Sequence, residues 1–229
     1  MLKDSPNLNA LLALVLLVPI PSIGVATELY ILPGIIGHSI ALLSKIWLLA
    51  IPIIWLLFID KENLKFEYPK GRDLLVGAGL GLLMLSIILI VYWLLGAQWI
   101  DVEYVRDKAN QVGLNSFTIY LVGAAYWIFI NSLLEEFVWR WFVYRKCEIL
   151  VTSPLAVVIC GLFFTIHHVV GLSAYFDWKT TILCSLGVFI AGVVWSWCYL
   201  TYRSIWIGYI SHIFADIAIF IIGWQLIFT

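Results

Sequence analysis

The chain has 229 residues, of which 63% are hydrophobic, 16% aromatic and only 12% charged, with a mean hydropathy of +1.03. Soluble domains are nearer half apolar and a quarter charged, so a water-soluble enzyme is excluded, and a formal net charge of −1 leaves no basic footprint for nucleic acid. The composition predicts an all-α polytopic membrane protein: at about 20 apolar residues per helix, about seven to eight spans fit, as a single membrane domain over residues 1–229 with no room for a soluble one.

In chain order, Lys3 precedes an apolar run that ends near Gly24-Val25-Ala26, as in a signal peptide. The weak charge before it, and the continuation of the apolar run, make it a first span instead, over residues 8–32. Pro19 and Pro21 predict a kink or break there, with an irregular piece near Pro33-Gly34. Span two covers 40–59 and is closed by a charged loop, 60–73, with the turn signal Pro69-Lys70-Gly71. Span three, 74–95, carries Gly77, Gly79 and Gly81, small residues that allow a close helix contact in lipid. The polar connection 97–116 holds Asp101, Glu103, Arg106, Asp107 and Lys108; its Val102, Val105 and Ala109 are spaced for a short interfacial helix. Span four is 117–144, followed by Arg145-Lys146. Span five starts with Ser153 as N-cap and Pro154 in the first turn. Spans six and seven are 180–202 and 204–228. Cys147, Cys160, Cys184 and Cys198 are far apart with no CxxC pair, and read as small buried hydrophobes rather than a disulfide or thiolate metal framework.

Seven spans place Lys3, Lys61, Lys65, Lys70, Arg72, Arg145, Lys146 and Arg203 on one side of the membrane, and Lys45, Arg106, Lys108 and Lys179 on the other. Cytoplasmic loops carry the excess of lysine and arginine, so the N-terminus and the end of span four are expected in the cytoplasm.

Within span four, Asn131-Ser132-Leu133-Leu134-Glu135-Glu136-Phe137-Val138-Trp139-Arg140 sets three ionisable groups in an apolar run. Charge in hydrocarbon is costly unless it faces the protein interior and meets a partner, which makes this stretch a candidate functional site. At 100° per residue, Glu136 and Arg140 share a face in the favourable i,i+4 order for an ion pair, while Glu135 points about 100° away and is free to act. The bland alternative is an ion-paired cluster that only holds helices together. Partners are sought among the histidines. His167 and His168 lie inside span five, and His212 and Asp216 are one turn apart on span seven. At 1.5 Å per residue, Glu135, His168 and His212 lie about 15, 20 and 12 Å from the cytoplasmic ends of their spans, so the three can meet in one layer. His38, near a membrane boundary, is read as interfacial. The aromatic residues are mostly interface belts; Trp139 and Trp141, beside the site, read as packing, with a substrate groove as the alternative.

Glu135-Glu136-x-x-x-Arg140, Phe164-x-x-x-His168 and His212-x-x-x-Asp216, in that order on successive spans, resemble the three motifs of the CPBP family, the CAAX prenyl endopeptidases and bacteriocin-processing (Abi) intramembrane proteases. The resemblance covers about residues 117–220 and includes Ser204-Ile205-Trp206. It implies an intramembrane endopeptidase acting on a membrane-associated peptide or protein, in one branch beside a prenylated cysteine. Catalytic positions are then Glu135, Glu136, Arg140, His168, His212 and Asp216: Glu135 and His168 activate a water, and His212 and Asp216 hold the oxyanion or a metal. Zinc is the candidate cofactor, with Glu135, His168 and His212 as its candidate ligands.

Two departures from the family pattern matter. The histidine doublet offers two frames, and Phe164 with His168 is preferred because Cys160 and Gly161 then fall where the family has small residues; His167 is an assisting group. Asp216 stands where the prenyl endopeptidases have asparagine, and an ionised carboxylate cannot donate to an oxyanion. It must act protonated, as a metal ligand, or as the orienter of His212. The expected location is the cell (inner) membrane of a prokaryote. Two rival readings are a transporter or proton relay, built from the same residue types, and a non-catalytic bacteriocin self-immunity protein.

Overall fold

Inside a bilayer every main-chain N–H and C=O must be paired within the protein, so long apolar runs become helices. In the computed structural model of the protein, which describes residues 6–62 and 68–229, seven helices are long and apolar enough to cross a membrane. They are α1 (Pro6–Ile31), α2 (Ile35–Asp60), α3 (Gly71–Trp99), α5 (Phe117–Leu150), α6 (Ser153–Leu172), α7 (Trp178–Tyr202) and α8 (Trp206–Phe228). The short α4 (Val102–Gln111) joins α3 to α5. No strand occurs among the described residues. The chain is an all-α polytopic membrane protein.

The expected interfacial helix is α4: Asp101 caps it, its side chain accepting the Tyr104 N–H at 3.0 Å, and Val105 and Ala109 are buried. It packs against α8, where Arg106 Nε donates to the Leu226 carbonyl at 2.8 Å. The expected interruption is at Val18, where α1 divides into the segments Pro6–Leu17 and Pro19–Ala26 without leaving the span. Val18 keeps helical φ/ψ of −59° and −39°, and both prolines fall in the first turn of the segment Pro19–Ala26, where a missing N–H costs little. The irregular piece falls at the α1–α2 corner, as expected, with Gly34 at φ 99°; Gly37 packs there against the Leu32 carbonyl and the Glu28 main chain, leaving no room for a side chain.

The helices pack pairwise, α3 along α8 and α6 along α7. Of the three α3 glycines, Gly77 and Gly81 lie against Ile210 and Phe214 of α8, so close that a Cβ would fall 2.9 Å and 2.6 Å from those side chains, while Gly79 faces open space. Both faces of α5 are used. Val138, Trp139, Phe142, Val143, Tyr144 and Cys147 join Ala156, Val157, Cys160 and Phe164 of α6, Trp195 and Tyr199 of α7, and Leu14 and Leu17 of α1 in one core.

Three expectations are corrected. The N-cap of α6 is Thr152, and the Ser153 hydroxyl is drawn instead to Glu148 Oε1 at 2.9 Å, a stronger, charged acceptor. The helix of span four runs on through Arg145 and Lys146 to Leu150, because those cations find carboxylates: Arg145 pairs with Glu62 at 3.0 Å and Lys146 with Asp60 at 2.6 Å. Lys45 belongs to no loop; it lies inside α2. Lys3 and Lys65, two of the cations used for orientation, lie outside the described residues.

Candidate active site

Four helices converge on one layer. From α5 come Ser132, Glu135, Glu136 and Arg140; from α6, His167 and His168; from α7, Trp195; from α8, His212 and Asp216. In α5 the four-residue α-turn Ser132–Glu135 is flanked by wider i→i+5 turns, Tyr126–Asn131 and Glu136–Tyr144, the kind of local irregularity that re-aims side chains.

The expected division between the two glutamates is present. Glu136 and Arg140 are both 0% exposed and pair at 3.2 Å. The Arg140 guanidinium lies 4.5 Å from the Phe164 ring centroid and 5.0 Å from that of Trp195, so aromatic faces stand in for part of its lost hydration. Glu136 Oε1 also accepts from His212 Nδ1 at 3.2 Å. Its Oε2 presses on Gly208, one turn before His212, where any side chain would overlap the carboxylate. Only glycine permits this approach of α8 to α5.

Glu135 keeps 17% of its side-chain surface exposed, and its Oε2 lies 3.7 Å from His212 Nε2. Asp216 Oδ1 lies at the same 3.7 Å from Nε2. With Nδ1–H given to Glu136, His212 thus turns its second nitrogen between Glu135 and Asp216. The ring is fixed from below by stacking on Trp195, centroids 4.2 Å apart. Trp195 Nε1 donates to Ser211 Oγ at 2.8 Å.

His168 Nδ1 lies 2.8 Å from the Phe164 carbonyl. A carbonyl only accepts, so Nδ1 carries the proton and the lone pair is on Nε2. His167 is stacked on Trp139, interplanar angle 5°, and its Nδ1 is buried without a hydrogen-bond partner. Glu135, His167 and His168 each offer one ligand atom, and these lie within 4.8 Å of one another. The donor set that geometry brings together therefore contains His167, in place of His212 in the set expected from the sequence. His212 is occupied by Glu136 through one nitrogen.

Sequence reasoning missed Ser132. Its hydroxyl lies 2.7 Å from Asp216 Oδ2 and 2.9 Å from the carbonyls of both Trp127 and Ile128. One hydroxyl proton cannot serve three acceptors. The carboxylate is the stronger acceptor, so the Ser132 hydroxyl donates to Asp216 Oδ2 and ties α5 to α8 at this layer. A serine three residues before Glu135 was visible, but its partner lies on α8, 84 positions away. Gly208 and Trp195 were missed for the same reason, since neither carries chemistry of its own. Trp139 is buried behind His167, and Trp141 stacks on Phe137 at 4.9 Å, away from the site. His38 pairs with Glu28 at 2.6 Å near the α1–α2 corner.

No curated protein and no solved structure matches the chain. Against protein families, residues 117–218 match the family described as type II CAAX prenyl endopeptidase Rce1-like. That interval runs from the first residue of α5 into α8 and contains every residue of the layer just described. The helices that build the site, α5 to α8, thus carry the stretch that matches an Rce1-like domain, residues 117–218.

Proposed function

We propose that the protein is an intramembrane endopeptidase that hydrolyses a peptide bond of a membrane-associated substrate, with Glu135 as the general base. The observation that carries this reading is the contrast within the doublet. Glu136 is locked by Arg140 and His212 Nδ1, whereas Glu135 is partly open and faces His212 Nε2, His167 and His168. In the proposed reaction Glu135, assisted by His168 Nε2, removes a proton from water as it attacks the scissile carbonyl, and returns that proton to the leaving nitrogen as the C–N bond breaks to give a carboxylic acid and an amine. His212, holding a proton on Nε2 as well as Nδ1, donates to the developing oxyanion. Asp216, held through Oδ2 by the Ser132 hydroxyl, keeps Oδ1 3.7 Å from His212 Nε2 and orients that ring. Glu136 and Arg140 keep the His212 ring oriented and its charge balanced.

The donor chemistry of Glu135, His167 and His168 also fits a zinc ion: two imidazoles and a carboxylate, with His168 Nδ1 tied to a carbonyl as metal-bound histidines are. Such an ion supplies Lewis-acid polarisation of the carbonyl. The substrate class we favour is a prenylated protein cleaved near its lipidated cysteine, by analogy with the family, at a membrane of a prokaryotic cell with the Arg145 end of α5 in the cytoplasm.

The test is cleavage of a membrane-anchored peptide by protein in liposomes, with Glu135→Gln, His168→Ala and His212→Ala. Each is expected to lose activity at unchanged expression, and full activity in all three rejects the reading. Zinc content is measured in parallel: His167→Ala and His168→Ala should each lower it, and an equal content in both variants and wild type leaves the water-activating role to Glu135 alone.

A further inference from the structure

A positive charge near the middle of a membrane-spanning helix needs a partner. Lys45 lies in α2, Ile35–Asp60, roughly 15 Å along the helix from Ile35 and roughly 22 Å from Asp60 at 1.5 Å per residue. Its Nζ stands 3.9 Å from the Trp127 ring centroid and 5.1 Å from that of Tyr126. Its hydrogen bonds are long, 3.4 Å to Asn131 Oδ1 and 3.5 Å to the Tyr126 hydroxyl. Two aromatic faces and two neutral oxygens hold this ammonium, and no carboxylate among the described residues pairs with it. The other cation within the spans at this level, Arg140, has Glu136. An ammonium has three protons to give, and Lys45 is half-buried, so it can still receive an anion from outside the chain.

Position says which anion. Asn131 precedes Glu135 by one turn of α5 on the same face, an axial offset of roughly 6 Å. Lipid phosphates lie outside a hydrocarbon core about 30 Å thick, and Lys45 is near its middle. A negative group arriving there must be carried in by whatever enters the site of Glu135. We propose that Lys45 is a carboxylate-binding subsite that takes a negative group of the substrate peptide within a few residues of the scissile bond. This rests on the endopeptidase reading above. The carboxylate is either the chain terminus or an Asp or Glu side chain; both offer the same oxygen pair to the ammonium.

The experiment compares three lipid-anchored peptides of one sequence in liposomes: a free C-terminal acid, the C-terminal amide, and the amide with an aspartate introduced near the end. Each is titrated against Glu135→Gln protein to give a Kd, and against active protein to give KM and kcat. Lys45→Met and Lys45→Arg are made in both backgrounds. A charge-assisted hydrogen bond corresponds to about tenfold or more in affinity. The acid is therefore expected to exceed the amide by that factor in Kd and KM, with kcat little changed. Lys45→Met should bring the acid-to-amide ratio to one, and Lys45→Arg should keep most of it. A ratio within one variant is insensitive to how much of the protein is folded. Recovery of affinity by the aspartate-bearing amide shows that the subsite accepts a side-chain carboxylate as well as the terminus, and its absence restricts it to the terminus. An undiminished acid preference in Lys45→Met, or no acid preference in wild type, overturns the proposal. If no peptide is cleaved, the endopeptidase reading fails while the Kd ratios still judge Lys45.

Discussion

At the end of the bundle where α2, α5 and α7 meet the charged loops, Asp60, Glu62 and Glu148 each hold a cation at 3.0 Å or less. Glu148 takes both Arg203 nitrogens at 2.7 Å, the Tyr144 hydroxyl at 3.0 Å and the Ser153 hydroxyl at 2.9 Å, and Lys146 meets Asp60 at 2.6 Å. Three to four turns along α5 toward the middle of the span the same residue types are held differently. His212 Nε2 stands 3.7 Å from Glu135 and 3.7 Å from Asp216, and Glu136 Oε2, Arg140 Nε and His167 Nδ1 are buried without a hydrogen-bond partner. Open valences in the drier of the two places cannot be there for stability, since each unsatisfied buried polar atom costs free energy. Satisfied charge at the rim fixes the helix ends, and unsatisfied charge at mid-span is available to a reaction. The cavity of about 250 Å³ at the rim, lined by Asp60, Glu62, Arg145 and Lys146, is on this view part of the fastening.

The sharpest way to break the comparison is Glu135→Gln. Removing a general base costs about 10²- to 10⁴-fold in rate, and the variant is expected to lose that much with its thermal unfolding midpoint unchanged. An equally inactive but unfolded protein would show that Glu135 is also a fastening. Next comes Arg140→Ala, which leaves Glu136 buried and unpaired and should destabilise by about 3–5 kcal/mol. Glu148→Ala, at the partly exposed rim, should cost about 1 kcal/mol or less. Denaturant unfolding in mixed micelles ranks the two, and equal losses would erase the distinction between the regions.

Gly208→Ala places a methyl on the Glu136 carboxylate and should cost about 1–3 kcal/mol, as overpacking does, together with activity. Gly79→Ala, open to space on α3, should be neutral or slightly stabilising in the same assay. The smallest effect is expected at Asp177, the N-cap of α7, outside the membrane-spanning segments. The adjacent Thr180 side chain and the Thr180 main-chain N–H, which donates to Asp177 Oδ1 at 2.9 Å, hold its carboxyl below the ordinary value. Because the folded value is the depressed one, its contribution is present at neutral pH and is lost as pH falls through that value. Asp177→Asn should flatten this part of the pH–stability curve and leave the rest unchanged.

The helical class, the seven spans and the identity of the charged layer were legible in the sequence, because lipid enforces long apolar runs and makes each interruption conspicuous. Glu136 with Arg140, and Glu135 turned from them, followed from 100° per residue alone. Within one helix the geometry is local, and Ser132 or Gly208 could be seen but not understood. What the sequence could not supply was contact between helices. Only the packing of α8 on α5 gave Glu136 a floor at Gly208 and placed Asp216 against Ser132. Only the rotation of α6 brought His167, with His168, toward Glu135. Lys45 falls within the span expected over 40–59, but its place against Trp127 and Asn131 appears only once α2 is laid beside α5. Span by span, the hydrophobic effect and main-chain pairing determine the helices from local composition. Which faces meet is decided by close packing among residues far apart in the chain, and the chemistry of the candidate site depends on that meeting.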